Sequence, residues 1–397
     1  MYFPKILRLV FLTFSFSLIL SSCGNKNQDE KTQTELPASI TNTYAVVATG
    51  MSEYGGAGAH SILSYSAPRS TVNNLLPTGN DLKMSSYEEH FYRIERSTSS
   101  SVTKFSIDDP STPIWNFSTE GTETNSNPSQ MIFVNETKAY LLRYNSTKAW
   151  IVNPSVTKEQ ESEFKTSELD LSAYDDGDGA PEMASGVIVG NKLFIALQRY
   201  SMIPPYGPNN DSYIAVFDTN TNAEVDTTST GVGLKGIKLD VRNPAGKIKY
   251  HDGYIYVAGA DNYYYGGTTY GGIQRINTTT YIAEPIMIGT TNTDITNVEI
   301  ISPTKGYFVQ YNAWGDNSFK SFNPQTGIVS PGNVAGIGDN GDRNLQDIIV
   351  DHDGLLWVSD GSITNPGVYI IDTATDTIQE GPISTNLNPL EITFCEK

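Results

Sequence analysis

The sequence predicts an all-β fold, a seven-bladed β-propeller of four-stranded antiparallel blades, on three observations. A motif recurs about every 50 residues, apolar residues within it alternate with the period of a strand, and the two chain ends complement each other. Each copy reads as a strand that starts near a proline or polar turn, a tight turn, a second strand rich in aromatics, a variable loop, a third strand and a short fourth. One copy runs NPSQMIFV, KAYLLRY and KAWIVNPS, beginning at Asn127. Others are MSSYEEHFYRIERS with SVTKFSIDD, MASGVIVGNKLFIALQRY with SYIAVFDTNT, and NPAGKIKYHDGYIYVAGA with GGIQRINTTT. Two more are ITNVEIISPTKGYFVQYN with SFKSFNPQTG, and NLQDIIVDHDGLLWVSDG with GVYIIDTATD.

Within the copies, positions such as Ile348, Val350, Leu356 and Val358 give the two-residue apolar period of strands packed between neighbouring sheets. No long stretch shows a helical period. The turns joining first and second strands, Gly190-Asn191, His251-Asp252-Gly253 and His352-Asp353-Gly354, place residues that tolerate positive φ where a hairpin needs them. The histidines there are expected to be turn punctuation. The body opens with TYAVVATG and SILSYSAP, a second and third strand with no first strand before them. The missing strand is at the other end, LNPLEITF from Leu387 to Phe394, so the C-terminal strand is expected to complete the N-terminal blade and close the ring.

The segment KAYLLRYNSTKAWIVNP, Lys138 to Pro154, resembles the repeat of the bacterial YVTN-type (YncE-like) seven-bladed propellers. Tyr369-Ile370-Ile371-Asp372 and Ala215-Val216-Phe217-Asp218 echo the second half of that repeat. The resemblance implies architecture and transfers no catalytic residue.

Ahead of the body, Lys5 and Arg8 accompany an apolar run from Ile6 to Leu20, too short to span a bilayer, followed by Leu20-Ser21-Ser22-Cys23-Gly24. That ending resembles the lipobox of bacterial lipoproteins. It implies cleavage before Cys23 and lipidation of its thiol, which would hold the protein in the cell envelope, at the outer membrane facing the periplasm or the cell surface. Residues 1–22 are thus expected to be a lipoprotein signal peptide, 23–39 a polar, disordered tether, and 40–397 the propeller.

Removing Lys5 and Arg8 from 26 basic side chains leaves 24 against 44 acidic ones, a net charge near −20. Nucleic acid is excluded as a partner on that balance, and anionic lipid suits the body poorly. With Cys23 lipidated, Cys395 has no intrachain partner, so no disulfide framework holds the fold. Cys395 is expected to be a small packing residue at the end of the closing strand.

In a propeller the loops between second and third strands share a face with the connections between blades. Sorting the loops this way gathers Tyr54, Tyr206, Tyr263, Tyr264, Tyr265, Tyr270 and Trp314 on one face as candidate ligand contacts. Arg199, Arg242 and Arg343 fall near the same rim, where they could meet an anionic group. Tyrosine combines broad contact area, few torsions to freeze and a hydroxyl, which suits recognition of sugars, aromatic chelates or peptides. The alternative is that these rings pack on one another to order long glycine-rich loops. Asp175, Asp176 and Asp178, with Glu182 nearby, carry closely spaced carboxylates among glycines and could wrap a Ca²⁺, although EF-hand spacing is absent.

Linear catalytic signatures are absent: no Cys-x-x-Cys-His, no Gly-x-Ser-x-Gly, and no phosphate-cradling glycine loop followed by lysine. No cofactor is implied beyond the weak Ca²⁺ signal. The leading expectation is a membrane-tethered binding protein that captures a small molecule, a glycan or an envelope protein on its loop-rich face. The alternatives are a propeller enzyme of the lyase or hydrolase kind with a metal in the channel, to which His60 with Glu53, or Asp339 with Asp342, could contribute, and an envelope scaffold.

Overall fold

A computed structural model describes Leu36 and residues 42–51, 55–97, 99–228, 231–261, 269–289, 294–339, 341, 343–362 and 364–397. These residues form seven antiparallel sheets arranged as blades in a ring. Their inner strands are Asn388–Glu396, Leu82–Tyr87, Pro128–Asn135, Met183–Val189, Lys249–His251, Ile295–Ser302 and Leu345–Val350, for blades 1 to 7 in turn. Six blades have four described strands. In blade 6 three strands, Ile295–Ser302, Lys305–Ala313 and Asp316–Phe322, are followed by a single bridge from Phe322 to Val329 in the place of the fourth.

The ring closes as the chain ends require. Asn388–Glu396 pairs antiparallel with Thr43–Gly50, Tyr44 facing Cys395 and Val47 facing Ile392, and one bulge lies between Ala48 and Thr49. The strand Thr43–Gly50 is buried along nearly its whole length because both of its faces are covered. Tyr44, Val46 and Ala48 pack against Phe91 and Phe105 of blade 2, while Ala45 and Val47 pack against Trp357, Val368 and Ile370 of blade 7. The two-residue period of the sequence is therefore the alternation between two neighbouring blades.

Trp357 shows what holds the seam. It is fully buried, lies edge-on to Phe394 of blade 1 with centroids 5.4 Å apart, stacks with Tyr65, and donates from Nε1 to Asp351 Oδ2 at 2.8 Å. Deleting so large a buried ring costs about 3–5 kcal/mol in cores of this density. Cys395 is fully buried in the blade 1–2 core, where burial pushes its thiol pKa upward, so it is a packing residue.

The turns follow local chemistry. Asp252 and Gly253 adopt φ of 46° and 82° between the paired His251 and Tyr254, and Gly190 adopts 59° between Val189 and Lys192. Around His352 the link is longer: Asp351 Oδ1 accepts the N–H groups of Asp353 and Leu355, and the exposed His352 ring lies 3.3 Å from Glu396. Short outer strands such as Lys165–Asp170 face solvent with polar side chains.

Candidate functional site

The inner strands place the site. At or ahead of the start of six of them, Asp81, Asn127, Glu182, Asn243, Asp294 and Asn344 each accept, through the backbone carbonyl, an N–H at 2.8–3.2 Å: the first of the second-to-third loop in five blades, and that of Tyr311, near the end of the second strand, in blade 6. A few residues further on, each inner strand or its lead-in turns one polar side chain into the channel. Going round the ring these are Glu391, Lys83, Gln130, Ser185, Lys247, Asn297 and Asp347. Several of them also stitch one blade to the next. Gln130 Oε1 accepts Gly186 N–H at 2.8 Å, and Ser185 Oγ donates to Gly246 O at 3.0 Å. Asn297 donates to Gln346 O at 3.2 Å, and Asp347 Oδ2 accepts Ile392 N–H at 3.0 Å.

The charged members meet across the lumen. Lys247 of blade 5 lies 2.7 Å from Glu391 of blade 1 and 3.5 Å from Asp347 of blade 7, and Lys83 lies 3.1 Å from the other Glu391 oxygen. Burial alone would raise the pKa of Glu391, but Lys247 and Lys83 hold it below the usual carboxylate range. Burial likewise works against the Lys247 ammonium, yet Asp347 and Glu391 raise its pKa above the ordinary value. Two cations and two anions therefore cancel at the inner end of the cavity.

Beyond these ion pairs, toward blades 3 and 4, lies a small cavity of about 10 Å³. On their other side opens a cavity of about 590 Å³, a size that suits a small ligand. Its walls carry Asn80, Asn297, Asn317, Asn344, Gln346 and Asn388, and its lining includes Met51, Tyr311 and Trp314. Trp314 sits at the tip of the hairpin between Ala313 and Asp316 and is 73% exposed.

Among the residues singled out from sequence, Trp314 is the one described candidate that lines this cavity. Tyr54, Tyr263, Tyr264, Tyr265 and Cys23, like Glu53 and Asp342, lie outside the described residues. Tyr206 is 59% exposed on its loop. Tyr270 lies under the Arg242 guanidinium, 3.8 Å from its ring centroid. The arginines are already engaged. Arg199 donates to Tyr174 O and Asp211 O, Arg242 to Pro208 O and Asp211, and Arg343 to Asp360 and the Tyr369 hydroxyl. They brace the loops of this face, and Arg343 N–H donates to Gly315 O beside Trp314 at 2.9 Å.

Asp175, Asp176 and Asp178 converge, each offering an oxygen within 4.8 Å of the others. Four of their six oxygens already accept hydrogen bonds: Asp175 Oδ1 from Gly177 and Gly179, Asp178 Oδ1 from Ala180, Asp178 Oδ2 from Met202, and Asp176 Oδ2 from Asn210. Behind them Glu182 is 1% exposed and accepts Tyr200 N–H at 3.0 Å. Burial, then the charges of Asp178 and Asp176, push its pKa up to about 9, so it carries a proton at neutral pH.

His60 is fully buried beside Phe91 and Phe105, with Nε2 2.7 Å from Pro110 O and Nδ1 3.2 Å from Arg93. Burial and the neighbouring Arg93 lower its pKa to about 3, which keeps the ring neutral in the blade 1–2 packing. Asp339 is exposed and accepts from Asn333 at 3.0 Å.

Sequence reasoning missed the channel residues, although a signal was present. Lys83 in LKMSSY, Asp347 in LQDIIV and Glu391 in NPLEITF are charged residues near the starts of inner strands, one per repeat.

Comparison with known proteins shows the fold. No family model matches the chain, and no curated protein matches it in sequence. A solved structure of a putative 6-phosphogluconolactonase from Bacteroides fragilis is similar at 12% identity and a TM-score of 0.57, over 89% of this chain and 98% of the other. The catalytically inactive virginiamycin B lyase of Staphylococcus aureus, solved with quinupristin, is similar at 12% identity and a TM-score of 0.52, over 83% and 96%. Citrobacter koseri AztD aligns over 89% of this chain and 98% of its own at 10% identity, with a TM-score of 0.45. The first two of these likenesses show the fold, and with the seven sheets described above they define the class: a seven-bladed β-propeller.

Proposed function

We propose that this chain is a lipid-tethered binding protein of the cell envelope, a propeller of the YVTN type, that takes a small molecule into the cavity at the mouth of its channel. The observation that carries the reading is the cavity itself: about 590 Å³ with polar walls, bounded inward by a neutralised ion-pair cluster and outward by an exposed tryptophan. The anchor is Cys23, and the polar segment after it gives the propeller reach from the membrane.

Binding ranks above an enzyme with a channel metal because Asp347 and Glu391 are already paired with Lys247 and Lys83. A cation there would have to displace both ammonium groups. It also ranks above the envelope-scaffold reading, since a scaffold has no use for a cavity of this volume.

The test is native mass spectrometry of the full chain, released gently from its own envelope. A retained small molecule that is absent from Asn388→Trp, a substitution that fills the cavity, is the expected result. A bare mass for both proteins, with no mass shift on adding an envelope extract, refutes the reading. Metabolic labelling with a fatty-acid analogue should mark the wild type and not Cys23→Ser.

A further inference from the structure

We infer that the cavity takes a neutral, polyhydroxylated ligand, a mono- or disaccharide unit, stacked on Trp314 and hydrogen-bonded by the wall carboxamides. This rests on the cavity-binding reading above and names its ligand class.

The first argument is the hydrogen-bonding inventory. Asn317 Oδ1 accepts Leu345 N–H at 2.8 Å, which aims its amide N–H groups away from that bond. Gln346 Nε2 donates to Asn344 Oδ1 at 2.5 Å, leaving Gln346 Oε1 and the Asn344 amide nitrogen without partners among the described residues. Asn297 commits its nitrogen to Gln346 O and keeps its oxygen, and both ends of Asn388 lack partners among the described residues. The wall thus holds donors and acceptors side by side, several fixed by a bond at the other end of the same amide. A sugar hydroxyl donates one hydrogen bond and accepts others, so adjacent hydroxyls match alternating amide donors and acceptors.

The second argument is charge. Lys83 and Lys247 are balanced by Asp347 and Glu391, and Asp81 at the lining is paired with Arg96 at 3.3 Å. A phosphate or carboxylate ligand would need an unpaired cation, and none lines the cavity among the described residues. The third argument is Trp314. A ring 73% exposed at the mouth offers a flat apolar face to the C–H face of a sugar, while the hydroxyl edge meets the amides.

The experiment uses the full lipidated chain in a detergent without a sugar headgroup. Of the four tryptophans, Trp115, Trp150 and Trp357 are buried, so the red-shifted part of the fluorescence reports Trp314. The probes are glucose, galactose, mannose, N-acetylglucosamine and their common disaccharides, against glucose 6-phosphate, glucuronate and trialanine. A saturable blue shift with at least one neutral sugar is expected; titration calorimetry, which does not depend on the Trp314 emission, should show the affinity for that sugar lost in Trp314→Ala and partly restored in Trp314→Phe. In Gln346→Leu the affinity should fall about tenfold, the effect of losing one or two hydrogen bonds, with the melting temperature unchanged.

A preference for the phosphorylated or acidic probes, or a response to trialanine alone, overturns the ligand class and leaves the cavity reading standing. The same holds where no probe responds but native mass spectrometry finds a retained molecule that Asn388→Trp loses. Where no probe responds and nothing is retained, both readings fall.

Discussion

Two buried glutamates, Glu391 on an inner strand and Glu182 just ahead of another, are neutralised by opposite means. Glu391 is 2% exposed and stays ionised because Lys247 reaches it from across the channel and Lys83 from the next blade. Glu182, 1% exposed at the head of its strand, has three aspartates for neighbours and keeps a proton instead. Burial is the same at both sites, so it is the sign of the neighbouring charge that decides whether a buried carboxyl is an anion.

The largest expected effect comes from breaking the first arrangement. Lys247→Met leaves Asp347 and Glu391 facing each other with Lys83 as the one remaining cation, and should cost about 3–5 kcal/mol in a denaturant titration at neutral pH. Glu391 has a depressed folded pKa, so its contribution is present above the unfolded carboxyl value and is lost as pH falls through the folded value. The deficit of Lys247→Met should therefore shrink on acidification, and Lys247→Met with Glu391→Gln should recover part of it. A variant as stable as the wild type would mean that the lumenal charges are solvated and do not close the channel.

Glu182 gives the opposite sign, with a comparable effect spread over several pH units. Its folded pKa is raised to about 9, so its contribution is complete below the unfolded value and is lost as pH rises toward 9. Relative to Glu182→Gln, the wild type should lose stability on the order of 1 kcal/mol per pH unit across that window, read as parallel melting curves at several pH values. Coincident pH profiles for the two proteins would contradict a protonated Glu182.

A smaller effect sharpens the comparison at the aspartates. Hydrogen bonds satisfy most of their oxygens, so the melting temperature should be the same in chelator and in calcium. A rise of several degrees with calcium would make the cluster a metal site and would mean that Glu182 is ionised in the loaded protein. Smallest of all, Trp314→Ala should change stability by less than about 0.5 kcal/mol, because the ring is largely in solvent; its effect belongs to binding.

Much of the fold was legible because its determinants are local. Asn127-Pro128 and Asn388-Pro389 announce inner strands, Asp252-Gly253 and Gly190 announce turns, and the unpaired strands at the two ends announce closure. The site was less legible. The loop-face sorting found Trp314, yet treated Arg199, Arg242 and Arg343 as available, whereas the guanidinium of each already has acceptors, in loops for the first two and in strands of blade 7 for Arg343. Nothing in a linear reading distinguishes an arginine that braces a loop from one that awaits a ligand, because the acceptors come from other segments.

By itself the sequence determined seven strand-period repeats, their turns and the pairing of first and last strands, since alternation and positive-φ chemistry act within a few residues. Only the tertiary structure decided that Lys83, Lys247, Asp347 and Glu391 meet, and that amides from blades 1, 6 and 7 and from the connection between blades 1 and 2 wall a single cavity. Each repeat supplies one such side chain, and their convergence exists only once the closed ring brings residues some 50 to 300 positions apart to one axis.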